Sequence, residues 1–318
     1  MTAVLPTAPL GSTGLAVTAL CVGTSPLASM ARLYGYEVGE ERAVATVQAV
    51  FDSPVRFLDT SNGYGEDGSA ERRIGEAIRQ AGGLPSGVVL ATKVDPDPRT
   101  GDFSGDRVRA SLEESLERLG LDRVDLLHLH DPERIPFEEG VARGGPVDAL
   151  VALRDEGLAR AIGVAGGPVG LLQSYLDTGA FDVVLTHNRY TLLDRSAEPL
   201  FRRAHEAGLG VLNAAPYGGG MLARGPAAQP KYAYGERDPR IAEAARAMQA
   251  ACNEAGVPLA AAALQLSTRA PFIDSTVVGV SAPERVAETV ALAGTAVPDG
   301  LWDELERMVP PRATWLDG

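Results

Sequence analysis

Three consecutive runs decide the fold: Val88-Val89-Leu90-Ala91-Thr92-Lys93, then Asp106-Arg107-Val108-Arg109-Ala110-Ser111-Leu112-Glu113-Glu114-Ser115-Leu116-Glu117-Arg118-Leu119-Gly120, then Val124-Asp125-Leu126-Leu127-His128-Leu129-His130. The outer two open with near-continuous apolar stretches, Val88–Ala91 and Val124–Leu129, of the kind that parallel strands buried on both faces require. The middle run opens on an acidic residue, carries Val108, Leu112, Ser115, Leu116 and Leu119 along one side and stops at Gly120, which predicts an amphipathic helix with a glycine at its C-terminal cap.

The same alternation extends in both directions. Strand-like runs recur at Ala19–Val22, Val55–Leu58, Ala161–Val164, Val183–Leu185, Gly210–Leu212 and Thr276–Val278, with helical segments at Glu40–Asp52, Glu71–Ala81, Val147–Glu156 and Glu198–Ala207. Eight strand signals separated by helices predict a (β/α)8 TIM barrel, α/β in class. Such a barrel takes about 250 residues as one unit, so residues 1–318 are expected to form a single barrel domain.

Three stretches depart from the repeat. Leu10-Gly11-Ser12-Thr13-Gly14-Leu15 predicts a β-hairpin that caps the bottom of the barrel, with glycine in the turn. Pro216 to Pro239 is rich in Gly and Pro and lacks a period, and a loop that long in a compact domain is usually functional. It is followed by two helical segments, Arg240–Ala255 and Leu259–Thr268. The proline-rich tail Pro310–Gly318 offers Trp315 to whatever it covers.

Composition excludes several classes. The chain has 318 residues, 45% hydrophobic and 22% charged, an ordinary globular balance with enough surface to bury that no disulfide or metal is needed for stability. With 29 Lys+Arg against 42 Asp+Glu the net charge is −13, which argues against a nucleic-acid partner. The two cysteines, Cys21 and Cys252, form no CxxC pair and suggest a reducing compartment. Met1 to Ser12 lacks the basic and apolar regions of a signal peptide, and no apolar run approaches the roughly 20 residues of a membrane span. The expectation is a soluble cytoplasmic protein without a membrane partner.

In barrels of this kind, polar residues at the carboxyl ends of strands are the first candidates for chemistry. Asp59 ends the second strand, Tyr64 lies in the loop that follows, Lys93 ends the third and His130 the fourth. Taken singly, each has a structural explanation. Asp59 can cap a turn with Thr60 and Ser61, Lys93 can be a solvated loop cation, Tyr64 can pack between Gly63 and Gly65, and His130 can be hydrogen-bonded structure. Together they bring an acid, a phenol, an amine and an imidazole to one mouth. That set suits proton transfer to or from an alcohol oxygen during hydride transfer. A free phenol has a pKa near ~10, too high for good acid–base work at neutral pH. A neighbouring Lys ammonium favours the phenolate, and Asp59 would keep that ammonium charged and in position. An imidazole opposite the phenol can orient the reacting oxygen. The hydride acceptor must be a bound cofactor.

These residues also resemble a known family. Phe57-Leu58-Asp59-Thr60-Ser61, then Gly63-Tyr64-Gly65, Ser69-Ala70-Glu71 and Ile74-Gly75, resemble the opening signature of the aldo-keto reductases. Lys93 in Leu90-Ala91-Thr92-Lys93 and His130 in Asp125-Leu126-Leu127-His128-Leu129-His130-Asp131-Pro132 match the remaining tetrad positions in order and spacing. The resemblance implies that Tyr64 is the acid/base, that Lys93 and Asp59 tune it, that His130 orients the substrate, and that the cofactor is NAD or NADP. It also implies that the nucleotide lies extended over the barrel mouth. Val277-Val278-Gly279-Val280-Ser281-Ala282-Pro283-Glu284-Arg285-Val286-Ala287-Glu288 is similar to the family's last-strand signature, where phosphates meet a helix N-terminus. Gly279, Ser281, Arg285 and Glu288 are the cofactor contacts this implies. Gly279 stands where many NADP-preferring members carry a base, whereas Arg285 keeps a 2′-phosphate feasible, so the choice of dinucleotide stays open.

The chain departs from the family in two places. The Ser-Asn pair that holds the carboxamide is Ala165-Gly166 here, leaving His187 or Asn188 for that task. The aromatic residue that stacks on the nicotinamide falls at Ala214, with Tyr217 three residues on. His130-Asp131-Pro132, Asn188-Arg189-Tyr190-Thr191-Leu192-Leu193, Ala215-Pro216-Tyr217 and Lys231-Tyr232-Ala233-Tyr234 resemble the sugar-oxidising members. The expected reaction is oxidation of the anomeric hydroxyl of an aldose to a lactone, with Asp131, Asn188 and Arg189 as candidates to bind sugar hydroxyls. The alternative within the family is NADPH-dependent reduction of aldehydes or ketones, including pyridoxal-type substrates. Outside it are two more. His128-Leu129-His130 has the spacing of metal-dependent barrel hydrolases. However, of the chain's four histidines His205 falls inside a helix, and Tyr64 and Lys93 would be unexplained, so no metal is expected. A nucleotide-binding regulatory subunit is the other, for which no added partner-binding segment is visible.

Overall fold

The computed structural model describes residues 5–318. The signal-peptide reading of Met1–Ser12 begins on Met1–Val4, which lie outside the described residues. Eight parallel strands close into a barrel: β3 (Leu20–Gly23), β4 (Phe57–Asp59), β5 (Val89–Val94), β6 (Val124–His130), β7 (Ala159–Gly166), β8 (Val183–His187), β9 (Gly210–Ala214) and β10 (Ser275–Gly279), with β10 pairing back onto β3. This is the predicted (β/α)8 architecture. A two-stranded antiparallel hairpin, β1 (Thr7–Pro9) and β2 (Ala16–Thr18), precedes it. The hairpin closes the amino-terminal end of the barrel: Ser12 N donates to Gly208 O at 2.9 Å, and Leu10, Leu15 and Val17 enter the interior core.

The strands alternate between two cores. Phe57, Val89, Ala91, Leu126, Ala161, Val183 and Leu212 fill the barrel, while Leu58, Leu90, Val94, Leu127, Leu129 and Val164 face the surrounding helices. Each fully buried leucine contributes roughly 2 kcal/mol relative to exposure, so both faces hold the strand register. Several strands run further than their apolar stretches, β5 through Val94, β6 through His130, β8 through His187 and β9 through Ala214. Reading by hydropathy stops at the first polar residue. The ladder does not, because Lys93 pairs with His128 and His130 with Ala165 in parallel register. The inward-facing positions of these extensions form the mouth.

The helix Gly105–Leu119 is built as its sequence predicts. Ser104 caps Arg107 N, the side bearing Val108, Leu112 and Leu119 is buried, and Gly120 ends it in a left-handed conformation. Pro239–Glu254 and Leu259–Thr268 follow β9. The segment from Pro216 to Pro239 has more structure than expected: one helical turn at Met221–Arg224 and a bridge between Tyr232 and Gly235. Tyr232 pins it, its hydroxyl donating to Asn188 O at 2.6 Å and sharing a hydrogen bond with Thr191 Oγ1 at 2.8 Å. The tail also differs from expectation. The Trp315 indole turns back to donate to Pro310 O at 3.0 Å. It is Leu316 and Asp317 that reach the barrel, Leu316 N donating to Asp194 Oδ2 at 2.7 Å and Asp317 Oδ2 accepting from Val169 N and Arg189 Nε. Among the described residues no helix is long and apolar enough to cross a membrane.

Candidate active site

Strand alternation sets Phe57 and Asp59 inward on β4, Val89, Ala91 and Lys93 inward on β5, and Leu126, His128 and His130 inward on β6. The last inward residue of each meets at the carboxyl end, and Tyr64 joins them from the loop after β4. All four line one cavity of about 320 Å³. The Lys93 ammonium is 1% exposed and all three of its protons have acceptors: Asp59 Oδ2 at 2.7 Å, Thr60 O at 2.6 Å and Tyr64 Oη at 3.2 Å. Because the lysine donates to Tyr64 Oη, the phenol's own proton is free to point into the cavity. The His130 ring stands edge-on to the Tyr64 ring, with centroids 5.6 Å apart.

Burial, reinforced by the negative charge of Asp59, pushes the Tyr64 phenol well above its ordinary value. The sequence reading expected the neighbouring ammonium to pull it down. In the folded protein, Asp59 neutralises that ammonium at 2.7 Å, and loss of water around the phenol dominates. Tyr64 is therefore held as a proton donor.

His130 has a partner that the sequence reading missed. Its Nδ1 lies 2.7 Å from Asp95 Oδ1 and 3.0 Å from Ser61 Oγ. Asp95 is 2% exposed, accepts Gly63 N–H at 2.8 Å and is hydrogen-bonded by Ser61. Burial alone would raise the Asp95 carboxyl, but the charge and hydrogen bond of His130 and the donors of Ser61 and Gly63 hold it well below the usual range. Burial likewise works against charge on His130, and Asp95 with Asp131 overcomes it and raises the imidazole. With Nδ1 committed to Asp95, Nε2 is the nitrogen left for a substrate oxygen.

On the opposite wall stands His187. Asn188 Nδ2 lies 3.0 Å from its Nδ1, and burial, aided by the charge of Arg189, lowers it to about 4, leaving it neutral. Asn188 itself is 1% exposed, has a left-handed backbone (φ 61°) and sits behind His187 without lining the cavity. Arg189 is not available for a sugar hydroxyl as the sequence reading allowed. Its Nε donates to Asp317 Oδ2 at 2.6 Å and its Nη1 to His187 O. Asp131 does line the cavity, together with Arg134, Ala165, Gly166 and Ala214.

A second cavity of about 240 Å³ continues from the first, sharing Pro26, Leu33, Tyr34, Ala215, Tyr234 and Gly279 with it. Ser281, Arg285, Glu288 and Tyr217 line this part. Tyr217 thus lies away from the tetrad, on the far side of the groove, because the chain turns at Ala215 (φ 53°) directly after β9. The aromatic residues over the first cavity are instead Tyr34 and Tyr234, whose rings meet edge to face at 6.1 Å. Leu33 and Tyr234 are the exposed large hydrophobic residues among those described, and both border the groove. The far end carries the N-terminus of the helix Pro283–Ala293, and the buried Tyr217 hydroxyl beside Arg285 has no partner. A long groove with apolar and aromatic walls, an unpaired buried donor and a helix N-terminus for phosphates fits an extended dinucleotide.

His128 sits one inward position deeper on β6. It is fully buried with both ring nitrogens unpartnered, where the sequence reading expected a hydrogen bond; its register neighbours are Gly163 of β7, whose missing side chain makes room for the ring, and Lys93 of β5, whose ammonium is already committed to Asp59, Thr60 O and Tyr64. Among the described residues no group of three or more His, Cys, Asp or Glu has an arrangement that could hold a metal ion.

A closed parallel barrel whose mouth joins a buried Asp–Lys–Tyr chain, an acid-backed imidazole and a dinucleotide-sized groove defines a barrel oxidoreductase of the nicotinamide-dependent class. The aldo/keto reductase family matches residues 19–309. The chain is 35% identical to L-galactose dehydrogenase from Arabidopsis thaliana, covering 97% of this chain and 96% of that one. It is 33% identical to D-threo-aldose 1-dehydrogenase from a Pseudomonas species, at 93% and 96% coverage, and 30% identical to pyridoxal 4-dehydrogenase from Microbacterium luteolum, at 93% and 95%. The fold matches that of an aldo-keto reductase from Bacillus halodurans with a TM-score of 0.79, covering 98% of each chain at 22% identity. The protein belongs to the aldo/keto reductase family and is an NAD(P)-dependent oxidoreductase.

Proposed function

We propose that the enzyme oxidises the anomeric hydroxyl of a free aldose to the lactone. The observation that carries this reading is the similarity, over nearly the whole chain, to an L-galactose dehydrogenase and a D-threo-aldose 1-dehydrogenase. The side chains of the mouth suit the chemistry. The anomeric oxygen sits between Tyr64 Oη and His130 Nε2. Its proton passes to Tyr64 in the phenolate state, the C1–H bond breaks, and the carbon–oxygen bond becomes the lactone carbonyl. NAD or NADP, when bound, would supply the acceptor for the hydride that leaves C1. Lys93 stabilises the phenolate through its 3.2 Å contact, and Asp59 holds Lys93 in position at 2.7 Å. His130, oriented by Asp95, supplies a hydrogen bond to the oxygen. In the reverse direction Tyr64 donates its proton to a carbonyl. Gly279, Ser281, Tyr217, Arg285 and Glu288 would hold the dinucleotide along the groove they line, and His187 would take the carboxamide in place of the Ser-Asn pair. Asn188 acts there only through the ring it orients. Residues 1–318 work as one domain in this reading, and the protein is cytoplasmic.

Absorbance of reduced nicotinamide tests this directly, crossing NAD and NADP with L-galactose, L-fucose, D-arabinose, D-glucose and pyridoxal. Reduction of the cofactor by a subset of the sugars is expected, and the same plate resolves NAD from NADP. Silence with every sugar, together with NADPH-dependent reduction of simple aldehydes, would overturn the sugar reading. The similarity to a pyridoxal 4-dehydrogenase makes pyridoxal the second substrate to try.

A further inference from the structure

Asp131 follows the last residue of β6 and has a left-handed backbone, φ 43°, a conformation a non-glycine residue holds only when its surroundings fix it. Here they do. Its N–H donates to Ala165 O at 2.7 Å, and its carbonyl accepts Arg134 N–H at 3.0 Å. Its Oδ2 accepts from Arg134 Nη2 at 2.8 Å. One carboxylate oxygen, Oδ1, is left over. It stands 3.7 Å from His130 Nε2 on the wall of the cavity that contains Tyr64. A charged acceptor with one oxygen tied down and the other presented beside the imidazole is a preorganised reader of a hydroxyl group.

What it reads follows from its neighbour. On the reading given above, His130 Nε2 holds the reacting oxygen. Two oxygens on adjacent carbons lie about one hydrogen-bond length apart, roughly 3 Å, which lets one approach Nε2 while the other approaches Oδ1. We propose that Asp131 is the specificity-determining residue of the site, its Oδ1 accepting a hydrogen bond from a hydroxyl on the carbon next to the reacting carbon. The enzyme then selects α-hydroxy aldehydes, and the aldoses that are their cyclic relatives, over aldehydes without that hydroxyl. A hydrogen-bonding site of this kind penalises the analogue that lacks the group, since bound substrate covers the partly exposed Oδ1 and leaves it without a partner.

The test compares two small aldehydes that differ by that hydroxyl alone. Lactaldehyde and propanal are reduced by the full-length enzyme with reduced nicotinamide, and kcat/KM is measured for the wild type, Asp131→Ala and Asp131→Asn. The wild type is expected to favour lactaldehyde at least tenfold. Asp131→Ala should bring the ratio close to one, and Asp131→Asn, which keeps an acceptor oxygen and tolerates the left-handed backbone, should fall between them. The Asn variant also keeps the test decisive if the Ala variant folds poorly. If both aldehydes lose the same factor and the pH profile moves, Asp131 acts through the charge of His130 and the proposal is overturned. An unchanged ratio in both variants overturns it as well. The aldehyde pair needs no sugar chemistry. A collapse of the ratio therefore supports the proposal even where the sugars prove inert, and a constant ratio sinks it even where they are oxidised.

Discussion

At the scale of single residues, the site depends on how three buried charges are shared. Lys93 Nζ has three acceptors and Tyr64 is one of them, so the phenol is tuned by a cation that Asp59 has already half neutralised. Since burial raises the phenol, oxidation, which needs the phenolate, should accelerate with rising pH throughout the range from 6 to 10. Reduction, which needs the phenol, should hold its rate until the alkaline limb. Rates in both directions across that range check this, and an oxidative rate independent of pH would remove Tyr64 as the base. Tyr64→Phe should abolish turnover and leave nucleotide binding largely intact by fluorescence titration. Asp95 governs the other half of the site. Asp95→Asn keeps an acceptor for His130 Nδ1 and deletes the charge that raises the imidazole. The charged form of His130 should then be lost at lower pH than in the wild type. Reductive kcat/KM should fall about tenfold or more, within the ordinary worth of a positioned acid–base group. An Asn variant with the wild-type profile would mean that Asp95 only fills space.

At the scale of elements, the sequence was readable wherever a physical period was present. The eight strands and the helices between them announced themselves through apolar runs and one-sided stripes, and Asp59, Lys93 and His130 through their place at strand ends. Asp95 escaped because Val94-Asp95-Pro96-Asp97 looks like one more acidic loop in a chain with 42 acidic residues. The signal was nonetheless present: Asp95 lies two residues beyond Lys93, and strand alternation sends it to the same face. Arg134 and Tyr34 gave no such cue, and Tyr234 stood out only through the resemblance of Lys231-Tyr232-Ala233-Tyr234 to the sugar-oxidising members. All three reach the mouth from a 3-10 turn, a single helical turn and an irregular loop, which only the tertiary fold brings together. The helix Ser69–Gln80 shows how closely the elements fit behind the site. Its Glu71 is buried and accepts from Thr92 Oγ1 at 2.6 Å and Arg118 Nη1 at 3.2 Å, and Gly75 lies so close to the next helix that a Cβ would stand 2.0 Å from Arg118 O. Gly75→Ala should therefore push the helices Ser69–Gln80 and Gly105–Leu119 apart. The expected cost is about 1–3 kcal/mol, typical of overpacking, seen as a fall of several degrees in Tm. An unchanged Tm would mean that the two helices slide apart freely.

For the whole molecule, the barrel interior carries a cost that sets its response to acid. His128 is fully buried, with neither nitrogen hydrogen-bonded, and burial lowers its pKa well below the ordinary histidine value. His187 is lowered to about 4. An unfolded histidine titrates near ~6.5, so between that pH and the folded values the unfolded chain binds more protons than the native one. The stability these two groups allow is thus complete above about pH 6.5 and declines as pH falls toward 4. His130 works in the opposite sense: its raised pKa adds stability that is present below the unfolded value and is lost as pH rises through its folded one. Asp95, held low, adds stability above the unfolded carboxylate value that is lost only in stronger acid. Between pH 7.5 and 5 the buried neutral histidines should therefore set the slope, and the urea midpoint of the wild type should fall. His128→Leu removes one titration and exchanges a buried, unpartnered imidazole for an apolar side chain. Its midpoint should be no lower than the wild type at pH 7.5 and should fall less by pH 5, the gap widening by on the order of 1–3 kcal/mol. Parallel declines in the two proteins would mean that the acid slope comes from groups other than His128.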